Sequence, residues 1–466
     1  MRILKNIGNE LLGKGKNFGG RPVPMVPPAH PLFKNALSFA KGPLLFMIRE
    51  WEKQGDIYDV NFPQVPFFVL SHPDYVKHVL VDNNRNYKKA FSFNFLRYTI
   101  GNGLLTNEGE SWLKQRRTAQ PAFHRQRLSA LLGSMVTVTE QLVSEWQKKA
   151  AGRQTVALAE EMMKTTAAIV SRALFGTDVG SFSRELVHLI TVLNQQTTHK
   201  VVNPLRSPMW LPTPNNLQLK NAIKRMDEII FGIIEQRRIS SAQQHDLLAM
   251  LMDARDAETG DQMDDRQLRD EVVTLMIAGT ETSANALSWS FSLLMQHPEV
   301  LNRLRKEADE VLGSGPLSSE SLGRLQYTTQ VLNEAMRIYP PAWTTGREAL
   351  SDDEIAGFPI PKGSQVYMCT YTVHRHPDFW AEPHRFDPDR FSPENSKGRH
   401  KFAFFPFGGG PRYCIGNNFA MMEMQVILAT LVHHFEWQPL SALPPALDPL
   451  LSLRPGNEIR IRLAQR

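Results

Sequence analysis

A single cysteine inside a glycine-rich, aromatic loop, followed at once by a long apolar run, sets the terms for the rest of this chain. The loop reads Phe404-Phe405-Pro406-Phe407-Gly408-Gly409-Gly410-Pro411-Arg412-Tyr413-Cys414-Ile415-Gly416, and the run from Phe419 to Phe435 has helical spacing. A thiol just ahead of a helix N-terminus meets free backbone N–H groups and the positive end of the helix dipole, which favour its thiolate. Gly408, Gly409 and Gly410 carry no side chain, so the backbone is expected to pass close to something large and flat. Arg412 adds positive charge beside the thiol and suits an anionic group on the same ligand. Taken alone, a lone cysteine is ordinarily a small buried hydrophobe. The five-position pattern Phe407-x-x-Gly410-x-Arg412-x-Cys414-x-Gly416 is what sets this one apart.

The chain around the loop reads as one unit. Residues 1–31 form a leader and a proline-rich connector, Arg21 to Pro28, and residues 32–466 form a single domain. Met1 to Gly20 is interrupted by Lys5, Glu10, Lys14 and Lys16, so it lacks the ~20 apolar residues of a membrane span. It also lacks a signal-peptide core. At most, Arg2, Ile3, Leu4, Ile7, Leu11 and Leu12 make a peripheral membrane contact. Strands are expected at 57–62, 67–70, 354–360, 365–369 and 459–463, helices at 42–54 and 72–80, and a long loop at 91–106. From 108 to about 310 the periodicity is helical, broken by the proline-rich stretch Val201–Asn216. The fold class is mainly α with a small β-rich lobe. Cys369 and Cys414 are the only cysteines, which offers no disulfide framework and suits a reducing compartment, the cytoplasm. A net charge of +6 is a mild bias, and no basic tract or zinc-type spacing points to nucleic acid.

Haem iron is one of the few partners for such a cysteine. The loop resembles the haem-ligand loop of the cytochrome P450 superfamily, and other elements follow in family order. Ala278-Gly279-Thr280-Glu281-Thr282 resembles its oxygen-activation motif, which implies proton delivery by Thr282 and Glu281; read alone, Thr282 bonds back to its own helix and Glu281 joins a surface pair. Glu334-Ala335-Met336-Arg337, with Arg390 in Pro388-Asp389-Arg390-Phe391, resembles the charge network that braces the cysteine loop. Trp112-Leu113-Lys114-Gln115-Arg116 resembles the element that reaches the haem propionates, with Arg347 and Arg412 as further partners.

The resemblance implies the cytochrome P450 fold and a haem-thiolate monooxygenase. Haem b would be held by Cys414, Trp112, Arg116, Arg347, Phe407, Arg412 and Gly416, with O2 as co-substrate. The loop pattern is closest to fatty-acid hydroxylase-like members, and by family position Phe93, Phe95, Ala278, Ala342, Trp343 and Leu450 border a lipophilic substrate, a fatty acid or terpenoid. About 50 residues follow Cys414, too few for a flavin domain. NAD(P)H electrons are therefore expected through a separate ferredoxin or flavodoxin with its reductase, received on Lys397, Arg399, His400, Lys401 and Arg412. A thiolate-haem isomerase, dehydratase or peroxygenase, or a haem sensor, are the rival readings. Ala278 stands where one branch carries a haem-esterified glutamate, so a covalent haem ester is not expected.

Overall fold

The computed structural model describes residues 21–176, 180–202, 207–239, 246–313 and 317–466. The expected leader contact at 1–20 and part of the proline-rich break lie outside them. The helices that place the site are α1 (Phe93–Ile100), α2 (Gly109–Ala119), α3 (Leu132–Ala151), α4 (Leu158–Phe175), α5 (Gly180–Val202), α6 (Pro214–Ile239), α7 (Asp265–Leu294), α8 (Pro298–Leu312), α9 (Gln326–Ile338) and α10 (Asn417–His434).

Helix α7 is the axle of the fold. Asp264 caps it by accepting from Gln267 N at 2.7 Å, which satisfies a free N–H at its start. From Val272 onward it is apolar or small nearly all round, so it must be covered on every side. It packs on α4, α6, α9 and α10, and Leu268, Val272, Val273, Met276 and Leu287 are fully or almost fully buried. Each such side chain contributes about 1.5–3 kcal/mol when removed from water. Gly279 does not break it, and the helix runs unbroken through Thr282.

The lobe holds a five-stranded sheet of β1 (Ile57–Asp59), β2 (Phe67–Leu70), β3 (Tyr87–Lys89), β4 (Thr345–Ala349) and β5 (Gln365–Met368), in the order β1-β2-β5-β4-β3. Only β2 and β5 run parallel, in register from Phe67 opposite Gln365 to Leu70 opposite Met368. Every residue of β2 is buried, as expected of a strand covered on both faces. Hairpins at Asp353–Ile360 and Leu447–Pro455, and a three-stranded sheet centred on Arg460–Gln465, complete the β structure. Among the described residues no helix is long and apolar enough to cross a membrane.

Two expectations need correction. The stretch 91–106 is not one long loop, because Phe93–Ile100 forms a helix whose Thr99 and Ile100 are buried. The expected strand at 57–62 stops at Asp59, whose carboxylate turns back to accept from Asn61 N at 2.8 Å. The connector also packs more than its prolines suggest: Val26 is buried and its N–H bonds Asp59 O at 2.9 Å.

Candidate active site

The cysteine loop folds back on itself. Gly408 N bonds Phe405 O at 2.9 Å, Tyr413 N bonds Gly410 O at 3.1 Å, and Cys414 N bonds Phe407 O at 2.9 Å. Gly408 and Gly410 adopt φ of +74° and +65°, conformations that an L side chain resists. The glycines do not all face a ligand, however. A Cβ on Gly410 would overlap the Leu80 carbonyl, and one on Gly409 the Phe402 ring, so these two serve close packing within the protein. Gly408 faces open space.

His374, which carried no signal in the sequence, holds the loop from beneath. Its Nε2 accepts from Phe405 N at 2.9 Å, and burial together with the Arg337 charge depresses it to about 3, so it stays a neutral acceptor. The same Arg337 donates to His374 O at 3.0 Å, Pro383 O at 2.7 Å and Arg385 O at 3.1 Å. Glu334 receives Arg337 Nε at 2.6 Å and Nη2 at 2.8 Å, accepts from Asp387 N at 2.9 Å, and has Arg390 Nε at 3.4 Å. The structure therefore brings Glu334, Arg337 and Arg390 together under the loop.

Cys414 lies two residues ahead of Gly416, the N-cap of α10; the residue is accessible, yet its thiol is surrounded deeply enough by protein for burial to penalise its charge. Burial pushes that thiol up, while the Gly416 N–H and the Arg116 guanidinium pull it down. Accessibility at such depth means interior space. Ala278 is exposed and Thr282 half-exposed on α7, whose other sides are buried, so α7 borders interior space as well. Ala342 is exposed in the same manner.

One edge of the site is strongly cationic. Lys89 of β3 stands directly opposite Arg347 of β4, so two cations share one face of the sheet. Like charges placed so are destabilising. On the opposite face the neighbouring pair is complementary, with Lys88 Nζ 2.9 Å from Glu348. Burial, Arg347 and Arg412 depress Lys89 well below its usual range, and burial lowers Arg347 and Arg412 to about 10. Glu108 is the counter-charge that all three share, and Arg412 holds it at 2.7 Å while stacking on Trp112 at 3.6 Å. Three cations around one carboxylate, beside an interior space walled by a thiol, fit a planar dianion such as haem with two propionates. Trp112 serves as the platform for Arg412. Lys89 and Glu108 were missed because nothing in their local sequence marks them; only the strand pairing does.

The remaining expected residues divide. Thr282 Oγ1 donates to Ala278 O at 2.6 Å, back along its own helix. Glu281 is not in a surface pair: it is buried, accepts from Ser452 Oγ at 2.6 Å and from Asn194, and burial raises its carboxyl. Trp343 is buried in the lobe core, and its Nε1 donates to Leu450 O at 3.0 Å, so it anchors that turn. Phe93 and Phe95 lie half-buried on α1, and Lys89 sits over the Phe93 ring at 4.3 Å. Phe407 packs half-buried against the main core. Of the five residues expected to meet a redox partner, Arg399 stacks on Trp380 at 4.4 Å, His400 pairs with Asp74 at 3.1 Å and Arg412 turns inward, which leaves Lys397 and Lys401 exposed.

A second cluster, Asp56, His72 and His376, brings ligand atoms within 4.8 Å of one another. Both histidines sit in His-Pro-Asp motifs, and each Nδ1 accepts from the aspartate N–H of its own motif, at 3.1 Å and 3.3 Å. That leaves the proton on Nε2, where His376 meets Asp56 at 3.1 Å. Such tautomers cap chain turns and oppose metal ligation through Nε2.

A family model described as cytochrome P450 matches residues 24–461 of this chain. The chain is 33% identical over 435 residues to cyclooctatin synthase of Streptomyces melanosporofaciens, across 93% of this chain and 94% of that protein. It is 32% identical over 415 residues to cyclooctat-9-en-7-ol 5-monooxygenase of the same organism, across 89% of each. It is 31% identical over 449 residues to pentalenene oxygenase of Streptomyces avermitilis, across 94% of this chain and 97% of that protein.

Proposed function

Because this chain belongs to the cytochrome P450 family and is a haem-thiolate monooxygenase using O2, we propose that Cys414 is its thiolate ligand and a cyclic terpenoid its substrate, with electrons from a separate ferredoxin or flavodoxin. The observation that carries the ligand assignment is the Cys414 thiol, open to interior space and flanked by Arg116 and the Gly416 N–H. The names of the relatives favour a terpenoid over a fatty acid. The domain assignment, 32–466 after a leader and connector, belongs to the same proposal.

Bound haem supplies O–O cleavage and insertion of one oxygen atom into a C–H or C=C bond. The protein's own residues prepare for it. Arg116 and the Gly416 N–H favour a thiolate at Cys414 Sγ. Lys89, Arg347 and Arg412 would hold the propionates of a bound haem, whose charge would relieve the repulsion among the three cations. Ala278 leaves space on α7 for the substrate, and Thr282 Oγ holds a proton at the same wall. Glu281, held by Ser452 Oγ and by Asn194 of α5, is the proposed proton source. Lys397 and Lys401 offer the outward positive charge for an acidic electron donor.

The test is turnover with a ferredoxin, its reductase and NAD(P)H under isotopically labelled dioxygen, across a panel of cyclic terpene hydrocarbons and alcohols. One labelled oxygen atom in the product is expected. Unlabelled, isomeric or dehydrated product formed without reductase would replace this reading by the isomerase or dehydratase class.

A further inference from the structure

The turn that joins α1 to α2 is held from two sides, and the haem-side residues account for one. On that side Gln115 Nε2 donates to Asn102 O and Arg412 Nη1 donates to Asn107 O, each at 2.8 Å. On the other side the turn meets two consecutive acids of α7. Asp270 accepts from Asn102 N at 2.7 Å, and Glu271 Oε2 accepts from Leu104 N at 3.0 Å. The fit leaves no slack. A Cβ on Gly101, whose φ is +80°, would overlap the Asp270 carboxylate, and one on Gly103 would overlap the Thr274 hydroxyl.

The two acids differ. Asp270 is neutralised by Arg269 Nη1 at 2.8 Å. Glu271 has Arg269 nowhere among its partners; its Oε1 is buried without a hydrogen bond, as is Thr274 Oγ1. Burial, and then the Asp270 charge, raise Glu271 to about 8, so its carboxyl is protonated at neutral pH. A neutral carboxyl still accepts the Leu104 N–H. Position completes the case. Glu271, Leu275, Ala278 and Thr282 follow i, i+4, i+7, i+11 spacing and form one stripe along α7. The stripe that borders the interior space therefore ends at the acid that grips the turn.

We propose that Glu271 and Asp270 are positioning residues for substrate: they hold the Gly101–Leu104 turn, and with it α1, against the α7 stripe and so set the width of the substrate space. This rests on the reading that the space beside Ala278 receives substrate. The grip itself is a property of the protein alone.

The test compares the haem-loaded wild type with Glu271→Gln, Glu271→Leu and Gly103→Ala, using amide hydrogen exchange and the binding of imidazole and phenylimidazole. Glutamine keeps an acceptor for Leu104 N–H, leucine removes it, and alanine at 103 wedges the turn away while leaving both acids intact. Loss of one buried hydrogen bond implies exchange at 102–104 about fivefold to tenfold faster in the leucine and alanine variants. Glutamine should retain wild-type protection, and the ratio of phenylimidazole to imidazole affinity should shift in the other two. Wild-type protection in both the leucine and alanine variants overturns the grip. Faster exchange with an unchanged affinity ratio overturns its role in setting the space. If Glu271→Leu does not fold, Gly103→Ala carries both readouts. Exchange is read without substrate or turnover, so failure of the monooxygenase reading and failure of the grip remain separate results.

Discussion

Replacing Glu334 by glutamine should loosen the cysteine loop, whose Cys414 lies 80 residues further along the chain (414 − 334), through charge alone. Glu334 and Arg337 have no exposed side-chain surface, and the carboxylate meets two Arg337 nitrogens at 2.6 Å and 2.8 Å, with Asp387 N at 2.9 Å. Glutamine keeps one acceptor, turns an NH2 group toward the other donors and leaves the Arg337 charge buried without its counter-charge. Breaking a buried pair from one side costs about 3–5 kcal/mol. With an unfolding entropy of about 2.1 cal/mol/K per residue across the chain, ~4 kcal/mol corresponds to a Tm lower by roughly 4 °C. The loss should concentrate where Arg337 binds the His374, Pro383 and Arg385 carbonyls. The assay is thermal unfolding with amide exchange across the segment from Pro383 to Cys414, and the Phe405 amide on His374 is the key probe. Glu334→Met combined with Arg337→Met should recover part of the loss, because no unpaired charge remains. An unchanged Tm together with wild-type protection at Phe405 would refute the bracing argument.

Three further outcomes follow from the site. Thr282→Ala removes only a hydroxyl bonded to Ala278 O, so fold and haem content should persist while reducing equivalents are diverted to peroxide; unchanged coupling of electrons to product would remove Thr282 from proton delivery. Lys89→Met should raise the Tm of haem-free protein by relieving repulsion with Arg347 and Arg412, yet speed haem loss; slower haem loss would contradict the propionate assignment. The folded haem-free protein releases the Lys89 proton before the unfolded chain does, so its stability should rise with pH up to the usual lysine value of 10.5 and level off above it, a trend read by denaturation at stepped pH and absent in Lys89→Met.

The cysteine loop was legible because its constraints are contiguous: glycines at positive φ, an arginine and a thiol within a few residues. The Glu334–Arg337 pair was legible for a related reason, since i, i+3 spacing places both on one helix face. What stayed hidden depends on distant partners. Lys89 acquires its meaning from Arg347 across a strand pair, Asp270 and Glu271 from a turn 167 or 168 residues earlier, and His374 from an amide 31 residues later. Glu281 shows a subtler limit. Adjacent helical residues point about 100° apart, so Glu281 and Thr282 face different surroundings although they are neighbours in the motif. The glycines of the loop show the converse: three in a row marked a close approach, but for Gly409 and Gly410 the approaching groups are Phe402 and Leu80.

The most direct test of the whole account is the absorption spectrum of the dithionite-reduced protein under carbon monoxide, for wild type and Cys414→Ala. The account predicts a strongly red-shifted Soret band in the wild type and none in the variant. Folded, haem-supplied wild type without that band, or a variant that keeps it, would contradict thiolate ligation by Cys414.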